Sequence, residues 1–175
     1  MRYYLAATLA ALSATPAAAE VVSSGPNHFH IRHTVPLVTS TTRAYELLAR
    51  PSGWWSDAHT YSGSASNLRL ELAPGGCYCE RWDGKFVKHM EVVAATPGEQ
   101  IVLEGALGPL RFAPASGTMI WAVKAAGNGS EVTIDYKVTG FANGDGAAMA
   151  VAVDRVLGAQ AERLREAAVS LPRQR

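Results

Sequence analysis

The sequence predicts an α+β domain in which a curved antiparallel sheet wraps around one long C-terminal helix. Three observations carry that expectation. Short segments of strict polar/apolar alternation recur from residue 27 to residue 139, turn signals separate them, and from residue 147 the apolar spacing changes to that of a helix.

The first nineteen residues read as an export signal and not as part of the domain. Arg2 supplies a basic start, "LAATLAALSA" is an apolar stretch too short to span a bilayer, and Ala17 to Ala19 satisfy a small-residue cleavage rule with the cut before Glu20. Residues 20–27 are expected to be a flexible N-terminal segment, residues 28–171 the domain, and residues 172–175 a tail. "NHFHIRHTV" (27–35) alternates with Phe29, Ile31, His33 and Val35 on one face and His28, His30, Arg32 and Thr34 on the other, a half-buried strand. Thr39 or Ser40 then caps a short helix through Ala44, Leu47 and Leu48, which Pro51 ends. "PSGWWSDAHTYSGSAS" is rich in Gly, Ser and aromatics and reads as a loop.

Strand follows strand from Asn67. "NLRLEL" alternates, and "PGG" turns the chain into "CYCERW", which Asp83-Gly84 pairs with "KFVKHMEVVAA" as a hairpin. "QIVLEGA", "GTMIWAVKAA" and "EVTIDYKVTG" follow, separated by Pro97-Gly98, by "GPLRFAPAS" and by Gly127-Asn128-Gly129. Between Ala147 and Leu171, Met149, Val153, Val156, Leu157, Gln160, Leu164 and Ala168 recur at three- and four-residue steps, with Asp154, Arg155, Glu162, Arg163 and Glu166 on the other face. At about 1.5 Å per residue this helix runs roughly 35 Å, long enough to cross a sheet.

Composition removes several classes of function. The chain carries 16 Lys+Arg and 15 Asp+Glu, and loss of the leader with Arg2 leaves the two signs equal. A nucleic-acid binder needs a clustered cationic excess, which is missing, and stable membrane insertion needs a long apolar span, which is also missing. No P-loop, dinucleotide fingerprint, G-x-S-x-G or H-E-x-x-H occurs, so no cofactor is expected. Ser56, Asp57 and His59 are too close in sequence to aim at one another as a triad.

Four stretches, "LLARPSGWWSDAHTYSG", "LELAPGGCYCERW", "VVAATPGEQIVLEG" and "GSEVTIDYKVTG", together with the order of elements, resemble the helix-grip fold of the START-like or SRPBCC superfamily. Within it they look like the branch named for the activator of a heat-shock-protein ATPase, and they are also similar to polyketide cyclase/dehydrase-like proteins. The resemblance covers roughly residues 28–170. It implies a deep cavity between sheet and long helix, commonly holding a hydrophobic or amphipathic small molecule; an export signal fits poorly with a cytosolic co-chaperone role, so only the fold and cavity are carried over.

The hairpin register places Tyr78, Glu80, Trp82, Val87, His89 and Glu91 on one face and Cys77, Cys79, Arg81, Phe86, Lys88 and Met90 on the other. A one-residue slip would invert that assignment. The first set is expected to face the cavity, with Glu80 and His89 as polar anchors, and as the catalytic pair if the protein is an enzyme. That would require burial to raise the Glu80 pKa towards neutrality. The alternative is that these are solvent-facing or purely structural residues. Tyr78 and Trp82, with Trp54, Trp55, His59 and Tyr61 of the aromatic loop and Trp121, Tyr136, Met149 and Val153 further on, make up the candidate ligand lining. His33, on the dry face, reads as a core histidine.

Cys77 and Cys79 supply at most half a zinc site, which His59 or His89 would have to complete, and His89 sits on the opposite face; no metal is expected. Side chains about 7 Å apart along an extended strand are poorly placed for a disulfide, so two reduced, buried cysteines are expected. The reading is therefore an exported protein that holds a hydrophobic or aromatic molecule between sheet and helix. Its alternatives are a cyclase/dehydratase-type enzyme and a protein-interaction module whose partner the sequence does not name.

Overall fold

The computed structural model describes residues 18–172. Most of the segment expected to be an export signal, residues 1–17, lies outside them. Eight antiparallel strands form one sheet in the order β1-β2-β8-β7-β6-β5-β4-β3. They are β1 (Ala18–Gly25), β2 (His28–Leu37), β3 (Leu68–Leu70), β4 (Cys77–Trp82), β5 (Lys85–Thr96), β6 (Gln100–Gly105), β7 (Ser116–Ala126) and β8 (Gly129–Thr139). Helix α1 (Thr41–Leu48) leans on β7 and β8, and the long α2 (Gly146–Val169) packs chiefly on β2 and β1. Among the described residues no helix is long and apolar enough to cross a membrane.

Residues 20–27, expected to be flexible, are mostly strand: β1 pairs with β2 through a two-residue turn at Pro26–Asn27. "EVVSSG" carries no alternating signal. The free edge of β2 supplies the hydrogen-bonding partners that its side chains do not advertise.

The short helix begins as its sequence predicts, with the Ser40 hydroxyl accepting from the Arg43 N–H (3.4 Å), and it stops before Pro51. The β4–β5 turn places Asp83 (φ 44°) and Gly84 (φ 74°) in the left-handed region, the geometry of a tight two-residue hairpin. Four pairings match the expected register: Trp82 with Lys85, Arg81 with Phe86, Glu80 with Val87 and Cys79 with Lys88. The fifth does not. Tyr78 pairs with Met90, so His89 is an extra residue, a β-bulge. As a result His89 and Met90 are both buried, while Glu91 moves to the other side and meets Lys88 in an ion pair. The expected positions of Met90 and Glu91 are thus exchanged.

The core follows the alternation. Phe29, Ile31, Val35, Val132, Ile134, Tyr136 and Val138 are buried under α1 and α2, beside Trp121, Leu103 and Ile101. His33 is buried too, with Nε2 2.9 Å from Asp154 Oδ1 of α2, a residue that helical spacing puts on the polar face. Gly158 makes room for the imidazole, since a Cβ there would lie 3.1 Å from His33 Cε1.

On the opposite face of the sheet His30 Nε2 (2.9 Å) and Arg32 Nε (2.7 Å) both donate to Asp135 Oδ2 across the β2–β8 pair. Burial pushes the Asp135 pKa up, but these two partners outweigh it and hold the carboxyl below 3.8. Asp135→Asn is expected to lower stability by about 1–2 kcal/mol near neutral pH. Because the folded pKa is depressed, that stabilisation is present above pH 3.8 and lost as pH falls through the folded value. Urea denaturation of both proteins at pH 7 and pH 3 checks it: the difference should shrink in acid.

Candidate ligand cavity

A half-enclosed cavity of about 390 Å³ lies between the sheet, α2 and two loops. From α2 it takes Met149, Ala152, Val153 and Val156, an i, i+3, i+4, i+7 stripe that the helix does not bury against the sheet. Tyr78 and His89 form the sheet wall, with Leu68 beside them. The aromatic loop contributes Trp55, Ala58, His59, Thr60 and Tyr61, and the segment after β6 contributes Leu107, Gly108, Pro109 and Leu110.

The aromatic loop is a pinned wall and not a free lid. Three single turns of 3-10 helix run through it, at Pro51–Gly53, Asp57–His59 and Ala65–Asn67. Gln160, fully buried on α2, accepts from the Ser56 N–H through Oε1 (2.8 Å). Its amide nitrogen therefore donates to His59 Nδ1 (2.7 Å). Arg163 donates to the Trp54 carbonyl (3.0 Å), and the Trp55 indole N–H to the His59 carbonyl (3.1 Å). On the other side Glu80 receives the Tyr61 N–H (2.9 Å) and the Ser62 N–H.

Glu80 is wholly buried but does not line the cavity. Burial alone would raise its pKa, yet the hydrogen bonds from Ser62, Tyr61 and His89 prevail and keep the carboxyl below 4.5. The condition for an acid or base titrating near neutrality is not met, and Glu80 acts as the clamp that holds the loop on β4. His89 does line the cavity, and its Nε2–H donates to Glu80 (3.3 Å). The imidazole is 4% exposed, and burial lowers its pKa below 6.5 against the opposing pull of Glu80. Tyr61 stacks on it (ring centroids 5.9 Å, 24°) and Tyr78 lies at 5.5 Å, tilted by 45°.

Of the candidate lining residues, Trp55, His59, Tyr61, Tyr78, Met149 and Val153 lie on the cavity and Trp54, Trp82, Trp121 and Tyr136 do not. Trp54 faces the core, its indole N–H on the Leu47 carbonyl (3.0 Å) and its ring against Trp121 (5.4 Å). Trp121 is fully buried, its N–H towards Met119 Sδ. Tyr136 accepts from the Leu107 N–H (2.9 Å), and burial lifts its phenol to about 12. Trp121 and Tyr136 point inward as alternation requires, but packed side chains, Trp54 among them, cover that part of the sheet. Trp82 ends β4 beside the hairpin turn, past the cavity.

Leu107–Leu110 carried only a turn signal in sequence, so their share of the wall was not foreseen. Gln160 had a sign, being the one amide in the dry stripe of α2. The cysteines depart from expectation as well: Cys77 and Cys79 are joined as a disulfide. Their Cα atoms are 5.3 Å apart, within the range a disulfide spans. Among the described residues no group of three His, Cys, Asp or Glu is placed to hold a metal ion.

No family model matches the chain, and no curated protein matches it either. Solved structures do. A protein from Mesorhizobium loti superposes with a TM-score of 0.59 at 12% identity, over 82% of this chain and 98% of that one. Ara h 8.0201 gives 0.57 at 8% identity, over 82% and 99%. DynU16, from the dynemicin biosynthetic locus, gives 0.50 at 16% identity, over 77% and 46%. Identities this low speak for fold alone. The chain has the helix-grip fold, a curved antiparallel sheet closed on a long C-terminal helix.

Proposed function

We propose that this is an exported protein that holds a hydrophobic or aromatic small molecule in the cavity between the sheet and α2. The observation that carries the reading is the lining itself, in which an apolar helical stripe faces Trp55, Tyr61 and Tyr78 with few polar groups between them. The DynU16 and Ara h 8.0201 likenesses are compatible with a cavity-bearing fold and name no ligand. A cyclase or dehydratase using Glu80 as a titrating group is disfavoured, because both carboxylate oxygens are taken by backbone amides and His89. An interaction module predicts a filled cavity, and so fits less well.

Native mass spectrometry of the mature protein from its own host's periplasm, followed by organic extraction, tests the proposal. An apolar passenger released on denaturation is the expected result. A clean mass, with no uptake from a library of aromatic and lipid-like compounds, would sink it.

A further inference from the structure

One polar side chain on the cavity has a fixed sense of hydrogen bonding and an outer nitrogen that the protein leaves unspent. The sense is set from α2 by Gln160. The Ser56 backbone N–H can only donate, so the atom it meets at 2.8 Å is the amide oxygen of Gln160. The Val156 carbonyl can only accept, so the atom 3.3 Å from it is the amide nitrogen. Backbone groups thus identify both ends of the amide, and the nitrogen that meets His59 Nδ1 at 2.7 Å is a donor. Nδ1 is then an acceptor, and the ring proton of His59 sits on Nε2. Gln160 is fully buried, so water does not compete for this arrangement.

His59 lines the cavity and is itself exposed, so its ring is open to a guest at the mouth, and Nε2 has no hydrogen-bond partner among the described residues. Other side-chain donors of the wall are spent inside the protein. The Trp55 indole N–H goes to the His59 carbonyl (3.1 Å), the Thr60 hydroxyl to the Asp57 carbonyl (2.7 Å) and the His89 Nε2–H to Glu80 (3.3 Å). The Tyr61 hydroxyl both donates and accepts, so it selects for neither, and Tyr78 is fully buried. Resting on the small-molecule reading above, we infer that Gln160 is a positioning residue that holds His59 as the Nε2–H donor of the cavity mouth, and that the ligand is an apolar, ring-containing molecule with a carbonyl oxygen at its outer end. A ketone or an ester meets that description. A hydrocarbon of the same shape does not, because it offers the N–H no acceptor.

Two measurements on the mature protein test this. Nitrogen NMR of the histidine rings without ligand, in mildly alkaline buffer and assigned with the help of His59→Phe, reads which ring nitrogen of His59 is protonated. A bare Nδ1 and a protonated Nε2 are expected, and in Gln160→Glu, whose carboxylate can only accept, the proton should move to Nδ1. The opposite tautomer in the unmodified protein, or an even mixture, would overturn the inference and leave the cavity reading standing. Calorimetric titration with 2-acetylnaphthalene and 2-isopropenylnaphthalene, which differ only in C=O against C=CH2, is the second. Stripping water from the ketone costs the same in every variant, so the quantity read is the affinity ratio of the two probes. His59→Phe and Gln160→Glu should each shift that ratio against the ketone by about fivefold. A ratio that neither substitution moves would overturn the donor role; uptake of neither probe would count against the cavity reading itself, and this inference would fall with it. The tautomer of the unmodified protein is read on that protein alone, so poor folding of Gln160→Glu would not rescue the idea.

Discussion

Glu80→Ala is expected to lose roughly 3–5 kcal/mol of stability, a large share of what a domain of this size has. The reason is specific to where the carboxylate sits. It is fully buried and gathers the Tyr61 N–H, the Ser62 N–H and the His89 Nε2–H, so its removal strands three donors that water cannot easily reach. The loop from Trp54 to Ser62 then keeps its ties to Gln160 and Arg163 of α2 but loses its tie to the sheet, and the cavity wall loosens before the core does. Urea denaturation followed by tryptophan fluorescence gives the number; a loss under 1 kcal/mol would mean the clamp is unimportant.

The acid response carries a second signature of the same group. The folded Glu80 pKa lies below 4.5, so its stabilisation is present above that pH and fades as pH falls through the folded value. His89 acts in the same direction from a higher starting point. Its folded pKa is below 6.5, so the unfolded chain takes up the proton first and stability drops once pH falls under 6.5. The unmodified protein should therefore weaken in acid in two stages, and Glu80→Ala should lack the lower one apart from the share owed to Asp135. A single curve of stability against pH for each protein checks this.

Val153→Trp is expected to abolish ligand uptake, by about a hundredfold or more, with little change in thermal stability. Val153 is only half-buried and sits in the middle of the α2 stripe that faces Tyr78 and His89. An indole there occupies the cavity from within and covers apolar surface that the helix otherwise exposes, so the fold gains or breaks even where binding is lost. The check is a titration with 2-naphthol beside a thermal melt of the same sample. Retained affinity would place the ligand elsewhere on the molecule.

Much of the fold could be read from the residues because the sheet is half-buried and its inner face is written in every second side chain. In the segment from Val132 to Val138 every apolar side chain is buried at alternate positions, and of the polar residues between them Asp135 alone is buried as well. Two parts escaped. β1 forms because β2 has an edge to satisfy, which is a property of the neighbour and not of "EVVSSG". The bulge at His89 escaped because alternation counts residues and cannot see an insertion.

The cavity was harder to read than the fold for a related reason. Alternation says which side chains look inward, but not whether a helix or open space lies above them. Trp54, Trp121 and Tyr136 look inward and meet packed side chains; Trp55 and Tyr78 look inward and meet the cavity. Only the seating of α1 and α2 separates the two groups, and that seating depends on contacts such as Gln160 with Ser56, far apart in the chain.

The extra residue in β5 makes one arm of the Glu80 clamp separable from the architecture. Remove His89 alone, and Lys88 opposite Cys79 is followed directly by Met90 opposite Tyr78, an unbroken ladder with every other pairing kept. The imidazole that braces Glu80 is in this sense spliced into the strand at one codon and could be gained or dropped without rewriting the sheet. The pairings that specify the sheet and the side chain that braces the loop can then vary independently.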